Sequence, residues 1–330
     1  MILVCFGTRP EFIKIKPLLD KMEGKIPFET LFTGQHEDLC SDYFFSKRLQ
    51  VKEGKNRLDC LVKSVMDEID FTPYDAVIVQ GDTASAFSIA LSAFNSKCKV
   101  IHLEAGMRTY DKNQPYPEET YRQCISRIAD IHLTPSWVET NNLKDEKVQG
   151  LVCEVGNTVL DNLVDCKVSY EDFVLVTLHR RENHENMREW FQAIQTLSVL
   201  HPELKFILPI HPNPNVQKHK SVLTNIDVVD PLEYHDMIDK ISKCKFIISD
   251  SGGIQEEASF LQKKVLVCRK ETERVALLNC NITMCKSPNE LLSKFTSVSE
   301  NPELKVNSPY GDGKSGEKIV SLLSREFGYE

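Results

Sequence analysis

Short apolar runs recur along this chain. Several end in polar turns that carry glycine, and stretches with helical periodicity lie between them. The runs fall at residues 2–6, 28–33, 76–80, 100–103 and 131–134, and again at 173–177, 205–209, 246–249 and 265–267. Most are rich in β-branched residues and continuously apolar rather than alternating, which is the pattern of parallel strands covered on both faces. Helical patterns include residues 10–22, 84–94, 119–128 and 186–200. Two successive strand–helix series, separated by a polar junction at residues 161–172, predict an α/β protein with two doubly wound parallel sheets. Near the end, a glycine-rich turn at residues 310–316 precedes a helical pattern at 317–327. A helix of that kind needs a surface to cover, and it is expected to pack back on the first domain. The expected division is therefore a first domain over residues 1–165, a second over 166–312 and a returning helix over 313–330.

Composition narrows the classes of function. With 41% hydrophobic and 27% charged residues among 330, the chain has the balance of a soluble globular protein. A formal net charge of -8 offers no basic surplus for neutralising a nucleic-acid backbone. A small phosphate ligand is not excluded, because it needs only local donors and a helix end. The run from Met1 to Phe6 is too short for the apolar region of a signal peptide, and no stretch is apolar and long enough to span a membrane. A cytoplasmic protein with neither membrane nor nucleic-acid partner is expected. Its 11 cysteines are scattered singly with no Cys-x-x-Cys pair, which reads as free thiols rather than a disulfide framework or a zinc site.

Ligands of open α/β sheets bind beyond the carboxyl ends of the strands. The polar motifs in those positions are therefore the candidates for chemistry. Gly7-Thr8-Arg9-Pro10-Glu11 follows the first run; Gly7 permits the turn, and Arg9 with Lys14 can face an anion at the helix start. After residues 76–80 comes Gly81-Asp82-Thr83, where Asp82 either serves chemistry or caps the helix beginning near Ala84. Glu104 closes a very apolar strand, and a carboxylate there needs a partner, for which Arg108 or a histidine is a candidate. Glu118 and Glu119 follow at a helix start.

The second half carries His179-Arg180-Arg181-Glu182-Asn183-His184, a phosphate-binding pattern with two arginines and flanking histidines. His211-Pro212-Asn213 occupies the corresponding place after residues 205–209. A metal held by His179, His184 and His211 is disfavoured by the neighbouring arginines, and no metal is expected. In Ser249-Asp250-Ser251-Gly252-Gly253, two glycines open a helix whose free N–H groups can receive phosphate, and Glu257 one turn later can accept ribose hydroxyls. No Walker pattern and no early Gly-x-Gly-x-x-Gly occurs.

Taken together, the ordered motifs resemble those of the UDP-N-acetylglucosamine 2-epimerase family. They are GTRPE at 7–11, GDT at 81–83, HLEAGMRT at 102–109, PEE at 117–119, HRREN at 179–183, SGGIQEEA at 251–258, TER at 272–274 and NSPYGDG at 307–313. The resemblance implies two Rossmann-like domains facing a central cleft, the glycosyltransferase-B-like architecture. It implies catalytic acids at Asp82, Glu104 and Glu118 and a catalytic histidine at His179. Diphosphate contacts are implied at Arg9, His211, Ser251 and Gly252, a ribose contact at Glu257, an active-site lysine at Lys14 and an anion contact at Arg274. Arg108, Arg180, Asn213 and Gly253 complete the expected substrate-binding set. Members are similar in being homodimers without a redox cofactor, and none is expected here.

The implied reaction eliminates UDP across C1–C2 of the sugar and returns it with the opposite configuration at C2. Three features depart from the family pattern: Val275 after Thr272-Glu273-Arg274, the loop at residues 110–116, and Asp38 in Gln35-His36-Glu37-Asp38, where regulated relatives carry a second glutamine. Activation by substrate is therefore not expected. Competing readings are an epimerase of a 6-deoxy or 2,3-diacetamido UDP-sugar, a hydrolysing epimerase, a glycosyltransferase, and a non-catalytic UDP-sugar-binding protein.

Overall fold

The computed structural model describes residues 1–35, 45–278 and 280–329. They form two compact units, Met1–Asn162 with Tyr310–Glu330, and Leu163–Pro309.

The first unit is built on a sheet of β1 (Ile2–Phe6), β2 (Phe28–Phe32), β3 (Lys47–Arg48), β4 (Ala76–Gln80), β5 (Lys99–Leu103), β6 (Ile131–Thr134) and β7 (Leu151–Glu154). Their order across the sheet is β3-β2-β1-β4-β5-β6-β7, and every neighbouring pair is parallel. Around it lie α1 (Arg9–Met22), α2 (Arg57–Glu68), α3 (Ala84–Asn95), α4 (Glu118–Ile128) and α5 (Trp137–Asp145). Alternate residues of β1 face opposite layers, as strand geometry requires. Ile2, Val4 and Phe6 join Ile15, Leu18 and Leu323 in one core, while Leu3 and Cys5 join Leu61, Val65, Ile89 and Ile125 in the other. Both faces are dry, which is why the sequence of β1 does not alternate.

The second unit repeats the plan with β8 (Phe173–Thr177), β9 (Lys205–Pro209), β10 (Asp227–Val229), β11 (Phe246–Ser249), β12 (Val265–Val267) and β13 (Ile282–Met284). The order is β10-β9-β8-β11-β12-β13, again all parallel. Its helices are α6 (Met187–Leu200), α7 (Pro214–Gln217), α8 (Tyr234–Lys243), α9 (Gly252–Phe260) and α10 (Pro288–Glu300). Trp190, Phe191 and Ile194 of α6 and Leu291 and Phe295 of α10 pack on Val174, Val176 and Ile248. The strand order reverses between β1 and β4 in the first sheet, and between β8 and β11 in the second. Loops diverge at such points and leave room for a ligand.

Four strands are absent from the sequence expectations: β3, β7, β10 and β13. All four are sheet edges. An edge strand has one neighbour and incomplete cover, so it has no need of an apolar run; β3 is Lys47-Arg48 with both residues exposed.

The last helix, α11 (Ser315–Phe327), belongs to the first unit. Asp161 accepts hydrogen bonds from the N–H groups of Ser315 (3.0 Å) and Gly316 (2.7 Å), satisfying two of the donors that open α11. The returning chain touches the first unit at Gly156, where a Cβ would stand 2.5 Å from Ser315 Oγ and 2.9 Å from the Tyr310 carbonyl oxygen. Among the described residues no helix is long and apolar enough to cross a membrane.

Because Leu323 is fully buried in the core shared with β1 and α1, Leu323→Ala is expected to destabilise the protein by about 2–5 kcal/mol. Urea unfolding followed by circular dichroism checks this, and an unchanged midpoint would refute it.

Candidate active site

In the first unit, the loops after β1, β4 and β5 are tied together by buried polar groups. Thr8 caps α1, accepting from Glu11 N–H at 3.4 Å, and its hydroxyl donates to Glu11 Oε2 at 2.7 Å. The same carboxylate accepts from Gly7 N–H (3.0 Å) and, through Oε1, from the Thr83 hydroxyl (2.7 Å). One buried side chain thus fastens the β1 loop to the β4 loop. Gly81 is held from β5: its N–H donates to the Leu103 carbonyl (2.9 Å), and His102 Nε2 lies 2.8 Å from its carbonyl oxygen. Burial drives the His102 ring down to about 3, so the ring is neutral at ordinary pH and its Nε2–H is the donor.

Three carboxyl groups stand at these strand ends. Glu104 has a left-handed backbone, φ 66°, rare for a residue with a side chain. Its carboxylate accepts close hydrogen bonds from Lys14 Nζ on Oε1 and from Gln80 Nε2 on Oε2. Asp82 accepts from Arg122, with Nε at 2.9 Å and Nη2 closer, both on Oδ2. Glu118, at the start of α4, has Oε2 buried with no hydrogen-bond partner among the described residues. Its neighbour Glu119 is differently placed: wholly buried, it receives the N–H groups of Thr109 (3.1 Å) and Tyr110 (3.0 Å) and pairs with Arg122 (3.2 Å). Glu119 therefore shapes the loop at residues 109–117, whereas Glu118 keeps a buried oxygen with no partner among the described residues.

In the second unit the corresponding hub is Asp250, which follows β11 and is fully buried. It accepts from the backbone N–H groups of His179 (3.1 and 3.0 Å to its two oxygens) and Arg180 (2.9 Å), and from Asn183 Nδ2 (3.0 Å). The His179 and His211 rings stack with centroids 5.0 Å apart and an interplanar angle of 8°. His211 Nδ1 accepts from Asn213 N–H at 3.1 Å, which leaves the proton of the neutral ring on Nε2. Asn213 in turn caps α7 through Asn215 N–H at 2.9 Å. Burial pushes both imidazoles below the ordinary histidine range, with Asp250 opposing the shift.

Helix α9 starts at Gly252, where a Cβ would lie 2.5 Å from Arg274 Nη1, so the guanidinium needs a glycine beneath it. Arg274 is buried and paired with Glu256 (2.6 Å) and Glu273, and Arg269 joins Glu273 (3.1 Å) to Glu182 (2.6 Å). This chain of alternating charges fixes the end of α9 against the loop bearing His179. Unused N–H groups of α9 and the donors of Arg180 and His211 make this end of the unit suited to an anion.

A family model described as UDP-N-acetylglucosamine 2-epimerase matches residues 21–324. UDP-N-acetylglucosamine 2-epimerase from Campylobacter jejuni is 36% identical, over 98% of this chain and 97% of its own. The chain belongs to the UDP-N-acetylglucosamine 2-epimerase family. Two solved structures agree. That of the Neisseria meningitidis UDP-GlcNAc 2-epimerase bound to UDP-GlcNAc is 31% identical with TM-score 0.88, covering 98% of this chain and 99% of that one. The co-structure of Staphylococcus aureus MnaA with UDP is 30% identical with TM-score 0.89, covering 99% and 96%. The fold is accordingly glycosyltransferase-B-like.

Within this epimerase family fold, several sequence expectations need correction. Among the described residues Glu104 is partnered by Lys14 and Gln80, and Arg108 is engaged elsewhere. Arg108 is buried, and its guanidinium is committed to Glu146 (2.7 and 2.9 Å), Ser126 (2.9 Å) and the Met107 carbonyl (2.8 Å). Asp82 does not cap α3; Thr83 does, accepting from Ala86 N–H at 3.0 Å. Gln35 Oε1 accepts from Ser85 N–H and hydroxyl, whereas His36, Glu37 and Asp38 lie outside the described residues. Arg9 is exposed at the first turn of α1, and Ser251 and Gly253 are half-buried beside the buried Gly252 and Glu257. Glu11, Gln80 and Asp250 were missed as site residues. Thr8-x-x-Glu11 is a capping-box spacing that marks Glu11, and Asp250, an acid directly after an apolar strand, meets the same test as Glu104.

Burial raises Glu11 from 4.5 to about 6, with the Thr83, Thr8 and Gly7 hydrogen bonds opposing the rise. Between those values the folded protein holds a proton that the unfolded chain has lost. The group therefore favours folding most below pH 4.5, and about 2 kcal/mol of that is lost as pH climbs through 6. In Glu11→Gln this loss disappears, so the variant should gain about 2 kcal/mol relative to wild type between pH 4.5 and 7. Urea unfolding at both pH values measures the gap; a gap that does not change with pH contradicts the assignment.

Proposed function

We propose that this chain interconverts UDP-N-acetylglucosamine and UDP-N-acetylmannosamine by epimerisation at C2. The observation that carries this reading is the set of three carboxyl groups in the first unit. Asp82 and Glu104 are each held beside a cation, and Glu118 has a buried, unpartnered oxygen. The relatives support the substrate class, since one is bound to UDP-GlcNAc and another to UDP.

The C2 hydrogen is not adjacent to a carbonyl, so direct removal gives a poorly stabilised anion. Elimination avoids this. A carboxylate takes the C2 proton as the C1–O bond breaks, and the bonding pair leaves with the diphosphate, giving 2-acetamidoglucal. UDP then re-adds at C1 while a second carboxyl group delivers a proton to the opposite face of C2. Asp82, which accepts from Arg122 through one oxygen, is assigned as the base acting on UDP-GlcNAc. Glu118, which lacks a cationic partner among the described residues, is assigned as the acid that protonates the other face. Glu104 is paired with Lys14 in the same unit.

On the second unit, the α9 N-terminus at Ser251, Gly252 and Gly253 receives the departing diphosphate together with Arg180 and His211, the latter oriented by Asn213. Arg9, at the first turn of α1, keeps the phosphate contact that the resemblance implies. His179 stands beside it, and Glu257 takes the ribose. Arg274 acts by holding the α9 end, and Arg108 is assigned no ligand contact. The protein works in the cytoplasm as a homodimer. Free thiols at all ten described cysteines fit that compartment, and the homodimer is what the resemblance to the family implies.

Incubation with UDP-N-acetylglucosamine in deuterated water, followed by proton NMR, should show UDP-N-acetylmannosamine carrying deuterium at C2. Free N-acetylmannosamine with UDP, or no change in a sample that binds UDP, would refute the reading. Glu118→Gln should lower kcat by about 10²–10⁴-fold, with UDP affinity by calorimetry close to wild type.

A further inference from the structure

We propose that Asp250 is a positioning residue for His179, setting both the place of its ring and its readiness to carry a proton. The proposal rests on the reading that His179 stands beside the departing diphosphate. Asp250 itself is assigned no contact with substrate, since three donors from a single loop already occupy its carboxylate.

The geometry is specific. Two successive backbone N–H groups, of His179 and Arg180, converge on one buried carboxylate, so the chain carrying the His179 ring has little freedom to shift. Asn183 closes the loop, donating from Nδ2 both to Asp250 (3.0 Å) and to the Cys268 carbonyl (2.9 Å) beyond β12. His184 Nε2 lies 3.0 Å from the His179 carbonyl oxygen and braces the same residue from the other side. The ring is then stacked on His211.

Charge makes the second half of the case. Facing His179 are Arg180 and His184 from its own loop, His211 from the loop after β9, and Asp250 from the loop after β11. Desolvation and the three basic neighbours disfavour a proton on His179, while Asp250 favours one. Asp250 also faces His211 in the same sense. A ring next to a leaving diphosphate stabilises it best when it can donate a proton to the charge that develops. Asp250 keeps that state within reach while its own lone pairs stay occupied.

The test uses Asp250→Asn, His179→Asn and the double variant in the full chain. In the folded Asp250→Asn protein, the His179 ring signal, identified by its loss in His179→Asn, should titrate at lower pH than in wild type. Its kcat should fall about 10–100-fold with KM changed by less than about threefold. In the His179→Asn background the same substitution should cost less than about twofold more, because Asp250 acts through His179. Should Asp250→Asn fail to fold, Asn183→Ala loosens the same loop and should lower kcat several-fold in wild type but not in His179→Asn. Wild-type titration and kcat in a folded Asp250→Asn protein, or equal losses in both backgrounds, would overturn the proposal. A wild-type protein that leaves UDP-N-acetylglucosamine unchanged refutes the substrate reading instead; the Asp250 proposal then stands or falls on the titration alone.

Discussion

Each sheet reverses its strand order once, and at each reversal a buried carboxylate bridges the two loops that diverge there. In the first unit Glu11, one turn into α1, reaches from the β1 loop to Thr83 after β4. In the second unit Asp250, after β11, takes the backbone N–H groups of the loop after β8. Loops at a reversal have no ladder hydrogen bonds to hold them, yet they must keep polar groups in register for chemistry. A carboxylate offers several acceptor sites and can satisfy donors from two directions at once. Burying it is tolerable because donors replace the water it loses.

These two groups are held differently. Glu11 accepts from one N–H and two hydroxyls, and burial still outweighs them, so its carboxyl sits near 6. Asp250 accepts two backbone N–H groups and an amide, all from one loop. The first arrangement joins two loops around an acid that can take a proton cheaply. The second fixes a single loop, the one that carries His179. Both keep the flanking site residues, Asp82 on one unit and His179 on the other, on short, doubly anchored turns.

The central strands were legible because β1, β4, β8 and β11 are covered on both faces, which leaves an uninterrupted apolar run in the sequence. The edges were not, since Lys47-Arg48 and Asp227–Val229 need cover on one side at most. At the candidate site, the motifs after the strands offer Asp82, Glu104, Glu118 and His179 as candidates, and their catalytic roles come from the resemblance to the family. Their partners were harder to read. Lys14 and Glu104 are 90 residues apart and Arg122 and Asp82 are 40 apart, so only the folded sheet brings them together. Arg108 shows the converse error: it lies four residues from Glu104, but the left-handed turn at Glu104 and the glycine at 106 lead it into a pocket with Glu146. Nearness in sequence is a weak guide where the backbone turns sharply.

The division of charge between the units matches the polarity of the proposed reaction. Breaking C2–H and C1–O together sends a proton one way and an electron pair the other. The first unit carries carboxylates held beside cations, Asp82 by Arg122 and Glu104 by Lys14. The second unit presents a helix N-terminus, Arg180 and imidazoles that burial keeps largely neutral, so it offers donors without a large fixed positive charge. A strongly cationic site would bind the diphosphate as tightly before bond cleavage as after it, and uniform binding does not accelerate the step. Imidazoles that gain a proton more readily as negative charge develops stabilise the departing diphosphate more than the bound substrate. In the proposed reaction that difference, rather than total positive charge, is the part assigned to the stacked His179 and His211.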